Sequence, residues 1–201
     1  MTNADWVTIA KALTLPARKL DSAELARVAQ AVVDTPELWE RFVNHDPAER
    51  QYTSLYVDDH IGIWLICWMP GHDTGFHDHD ESSGGVAVAS GSVREERPVW
   101  GREPRRIDPG PGEGFHFDET EIHRVLNVTE EPAVTIHCYS PPLQRMGAYL
   151  VERDGYLRRR PIAWDERLEA KSGVASAPPA AASSEAPRSG RSAARGRRRS
   201  A

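Results

Sequence analysis

Apolar residues in the first fifty positions recur at helical spacing. Asp21 and Glu24 have the spacing of a capping box, and an apolar stripe follows them at helical intervals. The stripe consists of Leu25, Val28, Ala29 and Val32. Pro36 in the run Thr35-Pro36-Glu37 predicts the start of a second helix, because a proline in the first turn loses no hydrogen bond. The apolar face of that helix would be Leu38, Trp39, Phe42 and Val43, and a further helix is predicted over roughly 6–13.

From Gln51 onward the apolar positions fall in short β-prone runs that Gly, Pro, Asp and Asn interrupt. The runs are YTSLYV, IGIWLICWM, GVAVASGSV, EGFHF, HRVLNV, AVTIHCYS and GAYLVE. No helical pattern separates them, which argues against parallel βαβ units, and many short strands favour an antiparallel sandwich or barrel. We therefore predict a mainly β protein in which residues 1–48 form two or three helices packed on a barrel of residues 49–170.

Composition and charge add a third unit to this picture. Residues 171–201 are mostly Ala, Ser, Pro, Gly and Arg without an aromatic residue, which predicts a disordered basic tail. The whole chain of 201 residues has a formal net charge of −5, so the tail is attached to an acidic body, which argues against specific nucleic-acid recognition. The sequence shows neither a membrane span nor a signal peptide, which predicts a cytoplasmic protein. Cys67 and Cys138 lie in apolar runs and are expected to be buried, reduced thiols.

Three of the eight histidines have a spacing that suggests a metal site. His77 and His79 are two residues apart within a Gly-x5-His-x-His-x4-Gly-x6-Gly frame, so on a strand both imidazoles would project from the same face. His123 begins another β-prone run 44 residues later, and a barrel can direct side chains from two strands at one interior point. Imidazole nitrogens alone do not distinguish iron from zinc, nickel or manganese. His45, His60 and His72 are expected to be solvated, and His116 is expected at the surface or behind the metal ligands, not as a ligand itself.

A second set of polar residues alternates along one β-prone run. Thr135, His137 and Tyr139 would project from one face, with His137 orienting the Tyr139 hydroxyl and Thr135 fixing the tautomer of His137. Cys138 would then point to the opposite face.

The HDH motif with its flanking glycines, followed by HRVLNV and AVTIHCYSPPL, resembles the cupin barrel of the thiol dioxygenases of the cysteine dioxygenase type. The resemblance covers about residues 52–142 and implies a jelly-roll barrel that binds Fe(II) through His77, His79 and His123. It implies oxidation of a small thiol by O2 to the sulfinate, with Thr135, His137 and Tyr139 as catalytic residues. Cupins that bind Zn or Mn as isomerases or decarboxylases, and non-catalytic sensors or binding modules, are the alternatives.

Three departures from the family pattern bear on the site. Ser83 and Gly84 stand where many cupins place a carboxylate ligand, and Glu81 is not expected to replace it. Gly84 also stands where some members carry a cysteine that crosslinks to the tyrosine, so no crosslink is expected. Ser54 in Tyr52-Thr53-Ser54 replaces the arginine that binds the carboxylate in cysteine-specific members.

The identity of the thiol is therefore open at the level of the sequence. Tyr52 is expected to contact the substrate, and Arg145 is a replacement for the missing arginine. Arg124 adjoins a predicted ligand and is expected to form a surface salt bridge. The expected partners are a small thiol and O2, and a monomer is favoured.

Overall fold

The computed structural model describes residue 9, residues 12–151 and residues 157–163. Helix α1 (Ser22–Val33) begins as predicted, because the Asp21 side chain accepts a hydrogen bond from the Glu24 backbone while the Glu24 side chain accepts one from the Asp21 backbone. Of the earlier predicted helix, residues 9, 12 and 13 are helical and most of the rest lies outside the described residues. The tail of residues 171–201 also lies outside them.

The prediction of a second α-helix is wrong. Two short 3-10 helices, Pro36–Leu38 and Glu40–Phe42, take its place. They are separated by Trp39, whose backbone leaves the helical region (φ −135°, ψ −30°) and whose indole N–H donates to the carbonyl oxygen of Val33. Leu38 and Trp39 are buried in the core that also contains residues of α1, and this packing overrides the local helical pattern.

Eleven strands follow within the described residues. They are β1 (Gln51–Val57), β2 (Gly62–Trp68), β3 (His77–Asp78), β4 (Ser83–Ser90), β5 (Arg94–Val99), β6 (Arg102–Ile107), β7 (Gly114–Phe117), β8 (Arg124–Leu126), β9 (Ala133–Ser140), β10 (Arg145–Val151) and β11 (Leu157–Ala163). All pairings between them are antiparallel, in the orders β1-β2-β9-β4-β7, β11-β10-β3 and β6-β5-β8. The predicted mainly β, antiparallel architecture preceded by a helix is confirmed.

The five-stranded sheet is buried on both faces at its centre, where all eight residues of β9 are buried. One face packs against α1, and at Gly85 the helix approaches so closely that a Cβ atom would lie 2.2 Å from the Ala26 nitrogen. Cys138 is in this helix-facing core, and both cysteines are free and buried, as predicted. The opposite face carries Tyr139 into a second core inside the barrel. No helix in the described part of the chain is long and apolar enough to cross a membrane.

Candidate metal centre and cavity

Backbone pairing brings the three predicted histidines together. His77 and His123 lie directly opposite each other, and each backbone N–H donates to the other residue's carbonyl oxygen, at 2.8 and 3.0 Å. His79 follows β3 two residues after His77, on the same side of the chain. The three ring centroids are 4.7–5.0 Å apart, and the candidate ligand atoms all lie within 4.8 Å of one another. This group can hold a metal ion.

Asp78, the residue between His77 and His79, binds side chains of the two neighbouring strands and so holds this segment in place. The Asp78 carboxylate accepts hydrogen bonds from the Tyr149 hydroxyl at 2.7 Å and from the Arg159 guanidinium at 2.6 and 2.7 Å. Burial alone would raise the pKa of Asp78, but these hydrogen bonds outweigh it and hold the pKa well below its ordinary value. The alternation of the chain thus directs the imidazoles inward while the carboxylate between them anchors the strand.

The ring nitrogens are arranged for metal binding. His77 Nδ1–H donates to the Gly75 carbonyl at 3.0 Å and His123 Nδ1–H donates to Glu95 Oε1 at 2.9 Å, which leaves a lone pair on each Nε2. His123 Nε2 and His79 Nδ1 are buried without a hydrogen-bond partner among the described residues. Burial lowers the pKa of His77 to about 4 and lowers the pKa of His79 and His123 well below the ordinary value. Three neutral, converging imidazoles fit a divalent metal ion.

Glu95 is a member of the site that the sequence did not reveal. It is 2% exposed, and burial raises the pKa of its carboxyl, although the Arg97 guanidinium 3.0 Å away favours the charged form. The three imidazoles are neutral, and the carboxylate that pairs with Arg97 lies one hydrogen bond behind His123. Its strand, REERPV, has the composition of a solvent-exposed segment, so nothing in the local pattern pointed to this role.

Phe117 forms one wall of the histidine cluster. Its ring stacks on His79 at 4.4 Å between centroids and lies 4.5 Å from the ring of His123. A Cβ atom at Gly84, which pairs with Tyr139 across β4 and β9, would lie 2.1 Å from Phe117 Cζ. Phe117 therefore fills the space that a cysteine side chain at position 84 would need.

The second predicted set forms one continuous line of hydrogen bonds. Thr135 Oγ1 lies 2.9 Å from His137 Nε2, and His137 Nδ1 lies 3.1 Å from the Tyr139 hydroxyl. The buried Trp68 extends the line, because its indole N–H donates to Thr135 Oγ1 at 2.8 Å. Burial lowers the pKa of His137 to about 3 and raises that of Tyr139 well above its ordinary value, so both side chains are neutral near pH 7.

A cavity of about 80 Å³ connects the two sets. His77, His123, His137 and Tyr139 line it, and so does Tyr52, for which contact with the substrate stays a prediction. Arg50, which the sequence analysis did not single out, is also in the wall. Residue 50 precedes β1, so only the folded barrel shows that its side chain reaches this interior surface.

Arg145, in contrast, does not line this cavity. Its Nε lies 3.1 Å from Asp80 Oδ2, and its side chain is 66% exposed. The strand β10 carries this arginine to an ion pair with the loop after His79, away from the cavity where the sequence analysis expected a replacement cation.

The remaining charged and histidine residues lie mostly where the sequence placed them. Arg124 forms ion pairs with Asp73 and Glu96, as predicted, and Glu81 is exposed and outside the three-histidine group. His116 is at the surface, hydrogen-bonded to Ser22. His45, His60 and His72 are half-buried instead of fully solvated, because their segments pack against neighbouring turns and strands.

The family model for cysteine dioxygenase type I matches residues 2–152. The chain belongs to this family. Cysteine dioxygenase type 1 of Danio rerio is 30% identical over 134 residues, which are 60% of this chain and 66% of that protein. Cysteine dioxygenase type 1 of Bos taurus is 27% identical over 160 residues, which are 74% of this chain and 78% of that protein. The chain thus spans about two thirds of the length of the Danio rerio protein.

Among solved structures, this chain is similar to a cupin superfamily protein from Desulfitobacterium hafniense. The TM-score is 0.44 and the sequence identity 11%, and the similarity covers 51% of this chain and 86% of that chain.

Proposed function

We propose that this protein is a non-haem iron dioxygenase that oxidises a small thiol to its sulfinate with O2. The observation that carries the proposal is the buried group of His77, His79 and His123, because His77 and His123 line a cavity that Tyr139 also lines. Membership of the cysteine dioxygenase type I family supports this chemistry over that of other metal-binding cupins.

In this proposal the three histidines hold Fe(II) through neutral imidazoles. The bound iron would supply the redox chemistry that joins both atoms of O2 to a thiol sulfur. The protein contributes hydrogen bonds that hold the ligands in place: the Gly75 carbonyl orients His77, and the Glu95 carboxylate orients His123. Phe117 stacks on His79 and excludes water from that side of the cluster.

Tyr139 is assigned the role of a hydrogen-bond donor to the bound reactants. The Thr135 hydroxyl is fully buried and accepts from Trp68, so its own proton has His137 Nε2 as the acceptor. His137 Nδ1–H then donates to the Tyr139 oxygen. The tyrosine proton is thereby left to donate toward the cavity, and the raised pKa of Tyr139, which follows from its burial, keeps that proton in place.

The size of the cavity supports a small substrate. The cavity measures about 80 Å³, and the side chains that line it are mostly apolar and aromatic. A site of this size favours a small ligand over a large one. Cysteine is the family's expected substrate, and Ser54 in place of the arginine of cysteine-specific members leaves other small thiols as alternatives.

The test is thiol-dependent oxygen uptake by purified, iron-loaded protein with cysteine, cysteamine, 3-mercaptopropionate and mercaptosuccinate. We expect one O2 consumed for each thiol lost and the sulfinate as product. Tyr139→Phe removes the donor and should lower turnover by about 10²-fold, while His123→Ala should abolish it. Purified protein that contains mainly zinc or manganese and consumes no O2 with any of the four thiols would instead support a cupin isomerase, a decarboxylase or a binding module.

A further inference from the structure

A second cavity, of about 610 Å³, lies beside His79. We call this space the acidic pocket. The carboxylates and cations that line it within the described part of the chain are Asp58, Asp59, Asp80, Glu81 and Arg145. Of the three histidines of the metal centre, His79 lines the acidic pocket and not the cavity of about 80 Å³. His77 and His123 line that cavity and not the acidic pocket.

The two spaces carry charge of opposite sign. Four carboxylates and one guanidinium give the wall of the acidic pocket a formal charge of −3. The wall of the cavity contains Arg50 and, among the described residues, no aspartate or glutamate. Recessed walls of one sign concentrate ions of the opposite sign and raise the rate at which these ions arrive. A divalent cation is therefore attracted to the acidic pocket and repelled by the cavity.

His79 has a polar atom that points to a ligand. The residue is 2% exposed, and its Nδ1 is buried without a hydrogen-bond partner among the described residues. Buried polar atoms are nearly always paired with another group. The acidic pocket thus adjoins an imidazole nitrogen that the described residues leave unpaired.

Exposed ion pairs hold the turn that begins with His79. The Ser82 N–H donates to the His79 carbonyl oxygen at 3.0 Å and closes the turn. The Asp80 carboxylate pairs with Arg145 at 3.1 Å and with Arg159 at 3.2 Å, and these arginine side chains are 66% and 35% exposed. Ion pairs that water reaches stabilise a structure little. The turn can therefore open while β3, which ends at residue 78, stays paired with β10.

We propose that the metal ion reaches the three histidines through the acidic pocket, and that the turn of residues 79–82 is the gate, closed by the Arg145–Asp80 ion pair. The carboxylates of the pocket attract the cation, the open turn presents His79 to it, and closure of the turn completes the group of three histidines. The inference rests on the metal site of the proposed function and not on its thiol chemistry. It gives Arg145, which does not line the cavity, a role in metal loading.

Metal uptake by the metal-free, full-length protein tests this route. Co(II) is the probe, and its association is followed by visible absorption in stopped flow at low and high salt. Dissociation is followed by transfer of bound Co(II) to excess chelator, and the two rates give the dissociation constant. The double variant Asp59→Asn, Glu81→Gln removes two exposed carboxylates of the pocket, and Arg145→Met and Arg145→Lys alter the gate.

Three further variants serve as comparisons. Glu103→Gln and Arg102→Met are the charge-matched controls, because both residues are exposed on β6 and line neither space. Arg50→Met tests the competing route through the cavity, since it removes the positive charge from that wall. Thermal unfolding of each variant verifies that it is folded.

We expect the Asp59→Asn, Glu81→Gln variant to bind Co(II) slower by roughly threefold or more and with a smaller dependence on salt, because the field of the pocket is weaker. Its dissociation rate should stay within about twofold of the wild type. Arg145→Met should speed association and dissociation alike, by roughly threefold or more, because a weaker gate opens in both directions. Arg145→Lys should lie between Arg145→Met and the wild type, and Arg50→Met and both controls should associate at the wild-type rate.

Two results would refute the route. Association rates of the pocket and gate variants equal to the wild type, with or without faster uptake in Arg50→Met, would mean that the ion does not enter through the acidic pocket. An equal slowing in Glu103→Gln would reduce the effect to the net charge of the protein.

Failure of this inference is distinguishable from failure of the proposed function. Pocket-dependent uptake in a protein whose iron-loaded form oxidises no thiol would refute the dioxygenase and leave the route. Thiol oxidation together with uptake that does not depend on the pocket would refute the route alone.

Discussion

Glu95→Gln tests whether negative charge behind the histidine cluster strengthens metal binding. The Glu95 carboxylate accepts from His123 Nδ1 at 2.9 Å, and both side chains are about 2–3% exposed, so solvent weakens this contact little. A hydrogen bond to a charged group contributes about 1.5–3 kcal/mol, and it is roughly twice as strong as a neutral one. Glutamine keeps the shape and an acceptor oxygen but loses the charge. The free energy of metal binding should therefore become less favourable by about 0.8–1.5 kcal/mol, which is half the contribution of the charged hydrogen bond.

That free energy corresponds to a metal dissociation constant that is roughly fourfold to twelvefold larger in the variant. The measurement is competition for Fe(II) against a chromogenic chelator without O2. Glu121→Gln is the matched control, because Glu121 also forms an ion pair with Arg97, while the carboxylate that His123 Nδ1 contacts in the described part of the chain is that of Glu95. An affinity for Glu95→Gln within twofold of the wild type would refute the argument, and so would an equal loss in Glu121→Gln.

Two further predictions concern stability. His137 is neutral when buried, with a pKa of about 3 against 6.5 ordinarily, so below pH 6.5 the unfolded chain binds a proton that the folded chain does not. The free energy of unfolding of metal-free protein should therefore fall toward pH 3, by up to about 1.4 kcal/mol per pH unit from this residue. Denaturant unfolding at several pH values should show this part of the slope lost in His137→Gln and kept in His116→Gln; equal slopes would contradict it. Gly84→Cys should destabilise the protein by about 1–3 kcal/mol through the clash with Phe117, and Phe117→Ala in the same chain should relieve part of that loss, so strictly additive effects would contradict the clash.

Patterns within a few residues were readable from the sequence alone. The capping box of Asp21 and Glu24 depends on contacts three residues apart, and it forms as predicted. The common face of Thr135, His137 and Tyr139 follows from the two-residue period of a strand, and the three form one line of hydrogen bonds. The antiparallel β architecture followed in the same way from short β-prone runs without intervening helices.

Where local pattern and tertiary contact disagreed, the tertiary contact decided. The helical spacing after Pro36 gave way to two 3-10 helices, where Leu38 and Trp39 pack in the core that also contains residues of α1. The charge-rich strands β5, β6 and β11 were not predicted. Their arginines and glutamates do not alternate with apolar residues, so the two-residue period of a strand is absent from the sequence. In the folded protein such charges pair between neighbouring strands, as Arg106 of β6 does with Glu96 of β5.

The chemistry of the site shows the same division. The sequence by itself determined the fold class, the three histidines and the threonine-histidine-tyrosine face, because each depends on spacing along one chain segment or on resemblance to a family. Only the tertiary structure decided that Glu95 lies behind His123, that Trp68 donates to Thr135 and that Arg50, not Arg145, lies in the cavity wall. These contacts join residues that are far apart in the sequence, and their distances depend on the register and closure of the barrel, which no local pattern specifies.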